Sequence, residues 1–384
     1  MSRADVLIIG GGLMGLATAM ELGRAGKKVI LLEKDTVGRH ASGVNAGGVR
    51  RLNRHVAEIP MTLESQEMWA NMEKYIGCDC TFTTTGQILA ANCDEEMELL
   101  TKREKTTTDL GYNHEELIDG KELRKLVPAI ADDFIGGLIS RKDGHALPYQ
   151  ACRAYQQSAL KAGVTIEEHT KVLGISQNGS GFTVTTASGK VYEGELLLNC
   201  AGAWGAKVAA MLGESIPMEP VALSMMVTAR MPKFITPVVS GYFRPLSFKQ
   251  MTNGTVVVGG ARRAFITDDE QTRINTEQMH GSAQTVVDFF PIMKEASIVR
   301  WWAGFEGMIS DKLPIIGEAA NTPGFFHTCG FSTHGFQLAP IVGKLMAEKL
   351  QGKTPHLSLE AFRADRETLF PKDTDAPKKK GAWQ

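Results

Sequence analysis

The segment Gly10-Gly11-Gly12-Leu13-Met14-Gly15 has the residue types and the spacing needed to grip a diphosphate. It fits G-x-G-x-x-G, follows the apolar run Val6-Leu7-Ile8-Ile9, and opens a stretch in which Leu13, Leu16, Ala17 and Met20 recur at helical spacing. Val29 to Leu32 is a second apolar run, and Glu33 closes it. In such a strand–bend–helix–strand unit each residue has a task. Gly10 permits the sharp turn, Gly12 leaves room for a pyrophosphate against the main chain, and Gly15 lets helix and strand approach. The unpaired amides and the positive end of the helix dipole face the phosphates. Glu33 can accept hydrogen bonds from ribose hydroxyls and disfavours a 2′-phosphate. The unit therefore reads as a dinucleotide site of the NAD or FAD type.

Three further segments accompany it in order: His40-Ala41-Ser42-Gly43-Val44-Asn45-Ala46-Gly47-Gly48; Leu196-Leu197-Leu198-Asn199-Cys200-Ala201-Gly202-Ala203-Trp204; and Asp311-Lys312-Leu313-Pro314-Ile315-Ile316-Gly317 ahead of Gly330-Phe331-Ser332-Thr333-His334-Gly335-Phe336-Gln337. With the opening motif these resemble the D-amino-acid oxidase superfamily of FAD enzymes, in its sarcosine oxidase/glycine oxidase branch. Gly304-Phe305-Glu306-Gly307 followed by Asp311-Lys312-Leu313-Pro314 looks like the β subunits of hetero-oligomeric amine dehydrogenases. Those include opine oxidases, hydroxyproline and proline dehydrogenases, sarcosine oxidase and cyanide-forming glycine oxidation. The resemblance runs from Val6 to about Leu350.

The resemblance implies an α/β fold: a Rossmann-like, glutathione-reductase-like FAD-binding domain plus an α+β substrate domain with an antiparallel sheet. It implies a non-covalent FAD and oxidation of a small amine or amino acid to an imine by hydride transfer to flavin N5. Secondary amines, D-amino acids and opines are the substrate classes, and partner subunits are expected. The competing reading is a flavin-binding electron-transfer or scaffold subunit of a larger complex. An NAD-linked dehydrogenase is disfavoured by the flavin motifs.

The same likeness assigns cofactor contacts. Gly10, Gly12, Leu13, Met14 and Gly15 would meet the pyrophosphate, and Glu33 with Lys34 the ribose end. Ser42, Gly43, Asn45, Ala46, Gly47 and Gly48 would lie along pyrophosphate and flavin, where small residues let the backbone approach. Val172 would meet adenine, and Ala201, Gly202 and Trp204 the adenosine half. Gly304 and the run Gly330, His334, Gly335, Phe336 and Gln337 would border the flavin, the helix amides facing its pyrimidine oxygen.

A substrate carboxylate calls for an arginine fork. Arg50, Arg51 and Arg54 follow the flavin loop, and two registers compete: Arg50 aligns on Asn45–Arg50, Arg51 and Arg54 on the Arg-x-x-Arg-His spacing. Arg50 leads. Arg244 is a second carboxylate candidate, His334 could orient substrate, and His145 ranks lower. Three departures from the resembled pattern bear on chemistry. No cysteine lies within Trp301–Gly317, so a cysteinyl flavin is not expected, and His40 is left as the covalent alternative. The strand Gly254–Gly259 offers only valine where oxidases of the branch carry a lysine, which predicts slow reaction with oxygen and an acceptor other than oxygen. Glu306 stands where many relatives have arginine, and could receive a cationic substrate arm.

The 384 residues carry 42 basic and 43 acidic side chains, a net charge of −1, which argues against a nucleic-acid or anionic-membrane surface. Lys378, Lys379 and Lys380 are read as a solvated tail. Six scattered cysteines, without metal-site spacing, point to reduced thiols in a cytoplasmic protein. No signal peptide, metal site or membrane span is expected. The FAD-binding domain is expected to be discontinuous, over 1–80, 145–215 and 300–365, with 81–144 and 216–299 forming the substrate domain and 366–384 a tail.

Overall fold

The protein is described by a computed structural model covering residues 2–179, 181–267 and 270–370. The basic tail lies outside these residues. Strand Ser2–Ile9 is buried from Val6 to Ile9 and runs parallel to Val29–Leu32 on one side and Val191–Asn199 on the other. An uninterrupted apolar run belongs in a parallel sheet covered on both faces, and that is its place. Among the described residues this sheet has eight strands, with Phe325–Cys329 joining Val191–Asn199 in parallel and Ile315–Glu318 folding back on it.

Helix Leu13–Arg24 and the C-terminal helix Gly335–Leu350 pack on one face of the sheet, with Pro148–Lys161 beside the first. The two helices approach closely because Gly343 has no side chain; a Cβ there would meet Ala17 Cβ at 2.5 Å. Pro340 lies inside the C-terminal helix, which continues through it. The Gln337 carbonyl accepts from Ser65 Oγ at 2.5 Å and Trp69 Nε1 at 2.9 Å, which ties this helix to helix Ile59–Ala70.

The second sheet has nine strands among the described residues. Its spatial order is Ile298–Ile309, Met218–Thr228, Val256–Ile266, Ser247–Gln250, Val238–Gly241, Gln87–Ala91, Gly136–Ser140 and Glu116–Asp119, with Thr272–Arg273 attached at Val256–Ile266. All pairs are antiparallel except Val238–Gly241 with Gln87–Ala91. Its outer core holds Phe134, Phe248, Phe289 and Phe290, the last stacked on Phe248 at 4.1 Å. Helix Thr276–Phe289 covers it, started by Asn275, whose side chain accepts from the amides of Glu277 and Gln278.

This is the mixed α/β architecture expected, with one boundary displaced. Residue 300 falls inside Ile298–Ile309, which pairs along its length with Met218–Thr228. That strand belongs to the second sheet, and the chain returns to the first at Ile315. A small three-stranded sheet, Gly48–Val49 with Gly144–His145 and Thr83–Thr84, ties the flavin-type loop to the crossing between the two units.

Gly343→Ala should lower stability by about 1–3 kcal/mol through overpacking against Ala17, read as a shifted denaturation midpoint with an unchanged slope.

Candidate active site

Between the two sheets lies a cavity of about 1270 Å³. Small-molecule pockets run to about 300–1,000 Å³, so there is room for a dinucleotide and a small substrate together. The bend at its floor is formed by backbone packing. Gly10 turns with φ +113°, and a Cβ there would collide with the Cys200 carbonyl. Gly12 precedes helix Leu13–Arg24 without a side-chain cap. Above Gly12 only Ser42 Oγ comes near, at 3.0 Å from an added Cβ, and the same oxygen accepts from Leu13 N at 3.0 Å. Glu33 lines the cavity while its two oxygens accept from Gly11 N at 2.7 Å and Asp35 N at 2.8 Å.

The Glu33 end is closed by an aromatic and charged cluster. Trp204 packs on His40 and Phe305 at 4.6 and 4.9 Å, and Lys34 Nζ lies 3.5 Å from its ring centre. Across this end reaches Glu270, from the turn after Val256–Ile266. It pairs with Lys207 at 2.8 Å, Lys34 at 3.6 Å and Lys171 at 3.7 Å. The hydrogen bond from Lys207, then the charges of Lys34 and Lys171, hold its carboxyl down at about 2.

At the opposite end the wall is ionic. Arg50 and Arg54 line the cavity, Arg50 Nη1 donating to the Leu52 carbonyl and Arg54 Nε to the Arg50 carbonyl. Arg54 Nη1 is buried without a hydrogen-bond partner, and burial with the neighbouring Arg50 charge pulls Arg54 down to about 9. Glu58, fully buried behind them, faces His334 Nδ1 at 3.1 and 3.0 Å. Glu306 lines the same end; burial raises its carboxyl to about 7, against the opposing pull of the Thr333 amide. The loop that carries His334 is strained: Ser332 and Thr333 hold φ +48° and +74°, unusual for residues other than glycine. Ser332 Oγ accepts from Ile309 N and its amide donates to the Gly307 carbonyl, which pins the strained turn to the second sheet.

A model of the FAD dependent oxidoreductase (DAO) family matches residues 5–349. The chain belongs to this family. Glycine oxidase of Geobacillus kaustophilus is 26% identical over 375 residues, covering 95% of this chain and 97% of that protein. Sarcosine oxidase subunit beta of Rhodobacter capsulatus is 26% identical over 354 residues, covering 90% and 84%. Among solved structures, L-proline dehydrogenase from P. horikoshii superposes with a TM-score of 0.87 at 25% identity, covering 94% and 97% of the two chains. Glycine oxidase from G. kaustophilus superposes at 0.88 with 23% identity, covering 95% and 99%. As a member of this family the chain is an FAD-dependent oxidoreductase acting on amines or amino acids.

The cavity gathers most of the residues expected from the family resemblance: Gly10, Gly12, Leu13, Met14, Glu33, Lys34, Ser42, Asn45, Ala46, Gly48, Val172, Ala201, Gly202, Trp204, Gly304, Gly330, Gly335 and Phe336, with Arg50 and His334. Others stand apart from it. Gly15, Gly43 and Gly47 lie behind the wall, where a Cβ would strike the carbonyls of Gly10, Gly38 and Ala146. They shape the bend and loop without facing the cavity. Gln337 is turned by the helix onto Thr62, whose carbonyl accepts from its amide at 2.9 Å.

Of the three arginines, Arg50 and Arg54, one from each alternative register, line the cavity. Arg51 alternates to the other side and is committed to buried Asp143, with Nε on Oδ1 at 3.0 Å. Arg244 lies on the outer face of the second sheet, its guanidinium 4.4 Å from the Phe289 ring centre and 5.0 Å from that of Phe134. His145 is buried in the small sheet; burial and the charges of Lys249 and Lys233 push it down to about 3.

A side chain on Gly304 would collide with Val44, and His40 Nε2 bonds Asp35 at 2.6 Å at the Glu33 end of the cavity.

A buried lysine is present beside the Asn45–Gly48 loop, outside the stretch Gly254–Gly259. It lies one strand away: Lys249, in Ser247–Gln250, is buried, donates to the Ala46 carbonyl, and is pulled by burial to about 7. Its signal was the alternation with Phe248, which faces the outer core and so turns Lys249 toward the Asn45–Gly48 loop. Glu58, Asp143 and Glu270 belong to no motif and were not singled out.

Glu270→Gln should speed FAD release about two- to fivefold at low salt, with the difference narrowing at high salt. Flavin fluorescence after dilution measures it.

Proposed function

We propose that the chain oxidises a small amine or amino acid to its imine, with FAD along the Gly10–Gly15 side of the cavity and the substrate among Arg50, Arg54, His334 and Glu306. The supporting observation is the partnerless Arg54 Nη1, buried beside Arg50 in the same cavity as the glycine bend. Such a donor suits an anionic group on the ligand, which a guanidinium binds with directed hydrogen bonds. Bound FAD supplies the oxidant for the C–H bond next to nitrogen. The amides at the start of helix Leu13–Arg24 hold the pyrophosphate, Glu33 the ribose, and Trp204 with Val172 border the adenosine. The second sheet roofs the site and excludes water.

Glu306 narrows the substrate. Its carboxyl stands in the cavity wall, so a second free carboxylate is disfavoured there and a cationic or hydrogen-bond-donating arm is favoured. Secondary amines bearing such an arm, as in the opine class, fit this better than an unsubstituted dicarboxylate. Relatives carrying the name of sarcosine oxidase subunit beta support a hetero-oligomer in which this chain is the oxidising subunit.

Lys249 removes the reason to expect a sluggish reaction with oxygen. A cation beneath the flavin loop favours electron transfer to dioxygen by stabilising the developing anion. A partner subunit as acceptor is the second reading, favoured by the subunit-beta relatives.

Anaerobic mixing of the FAD-loaded protein with sarcosine, proline, hydroxyproline, D-amino acids and opines should bleach the flavin with at least one of them. Bleaching by none would leave an electron-transfer or scaffold subunit. Reoxidation by oxygen in stopped flow should be slowed about 100-fold by Lys249→Met. In the wild type it should weaken as pH rises through about 7, because the lysine is cationic below that value and neutral above. Fast reoxidation of the variant would remove Lys249 from the oxygen reaction, whereas slow reoxidation of the wild type would point to the partner subunit as acceptor.

Glu306→Gln should reduce the preference for cationic over neutral substrates about tenfold in kcat/KM. An unchanged preference removes this residue from the specificity argument.

A further inference from the structure

The Glu58–His334 pair has a geometry that the oxidation of an amine can use, and this inference rests on that reading of the site. Glu58 is fully buried on the short helical turn Val56–Glu58. His334 stands at the start of the C-terminal helix, and its ring lines the cavity. Its Nδ1 hydrogen-bonds Glu58 Oε1 at 3.1 Å, and Oε2, which has no hydrogen bond of its own, lies 3.0 Å away. Among the described residues its Nε2 makes no hydrogen bond. A carboxylate facing Nδ1 fixes that nitrogen as the N–H donor and leaves Nε2 as a lone-pair acceptor.

Hydride can leave the carbon only when the neighbouring nitrogen has a free electron pair, and amino acids arrive as ammonium ions. We propose that His334 Nε2 takes this proton from the bound substrate and that Glu58 is the positioning residue that orients the ring and balances its charge. One substrate N–H bond breaks and its electron pair remains on nitrogen. The proton forms a bond to Nε2, giving an imidazolium whose Nδ1–H still faces the Glu58 carboxylate. FAD, when bound, would be the two-electron acceptor for the C–H hydride that the freed electron pair on nitrogen expels.

The charges around the pair couple this base to substrate binding. His334 faces Glu58 on one side and the Arg54 and Arg50 cations on the other, at the positive end of a helix dipole. Burial, Arg54 and Arg50 push the empty-site imidazole down to about 4, whereas Glu58 opposes them. Burial tends to raise Glu58, and His334 with Arg54 and Arg50 holds it at about 2, so the carboxylate stays ionised. A substrate carboxylate on Arg54 and Arg50 neutralises the cations that oppose protonation. The imidazole therefore gains basicity when the ammonium is in place.

Two measurements on the FAD-loaded protein test this. The first uses acetate as a carboxylate probe and calorimetry in buffers of different ionisation enthalpy near pH 5. Acetate binding should be accompanied by proton uptake in the wild type, and His334→Gln should abolish it. The second follows the pH dependence of anaerobic flavin reduction by whichever amine bleaches the flavin. His334→Gln should slow reduction about 100-fold at pH about 7, with the loss shrinking as pH approaches the amine's own pKa. Glu58→Gln, which keeps a hydrogen-bond acceptor on Nδ1 and removes the charge, should shift the profile in the same direction by a smaller amount. If His334→Gln loses its flavin, the Glu58→Gln profile and proton uptake decide instead. Unchanged uptake together with a pH-independent rate loss would overturn the proposal. Absence of bleaching by any amine, with acetate-linked proton uptake intact, would count against the amine reading and leave the arginine–histidine coupling standing.

Discussion

The width of the cavity is set by backbone touching backbone. Gly10 lies so close to the Cys200 carbonyl, and Gly15 to the Gly10 carbonyl, that any side chain would wedge strand and helix apart. Because these contacts are made, the first turn of helix Leu13–Arg24 presents its amides to an open crevice. Everything opposite is placed relative to that floor: the Ser42–Gly48 loop through Ser42 on Leu13 N, and the second sheet through its hold on that loop.

The buried charges divide into two kinds. Arg51 and Asp143 are matched: the carboxylate accepts from the Arg51 side chain, the amides of Arg51 and Leu52, and Ser140 Oγ. Such a pair fixes a backbone path, and either member alone would be costly to bury. Arg50, Arg54, Glu58, His334 and Glu306 are less fully matched, with buried polar atoms left without hydrogen bonds at Arg54 and Glu58. Incomplete satisfaction at a cavity wall is the condition of a site arranged for a ligand. The two kinds are adjacent in the chain, and Asp143 holds the segment from which Arg50 and Arg54 project.

The first sheet and its bend were legible because chemistry constrains them at short range. A continuous apolar run, a glycine bend, a helical stripe and an acid follow one another within about thirty residues. The arginine register was legible only as a pair of alternatives, because which of three neighbouring side chains faces inward depends on the twist of Gly48–Val49 and on the distant partner Asp143. Arg244 misled because a strand-end arginine has two faces to choose from, and the rings of Phe289 and Phe134 took it. Lys249 was within reach of an alternation argument applied to Ser247–Gln250, whereas attention to the valine-rich neighbouring strand hid it. Glu58 meets His334 across 276 positions, and no local pattern encodes such a meeting.

The loop Asn45–Gly48 and its neighbour Val44 are shared between the two units. Trp302 Nε1 donates to the Val44 carbonyl at 2.8 Å, Lys249 donates to the Ala46 carbonyl, and Gly304 lies against Val44. The roof cannot hinge away from the floor without tearing these bonds, so the flavin bed is finished only after the two sheets have met. The flavin bed is thus a joint property of both units, and neither sheet alone supplies all the groups that hold its loop in place.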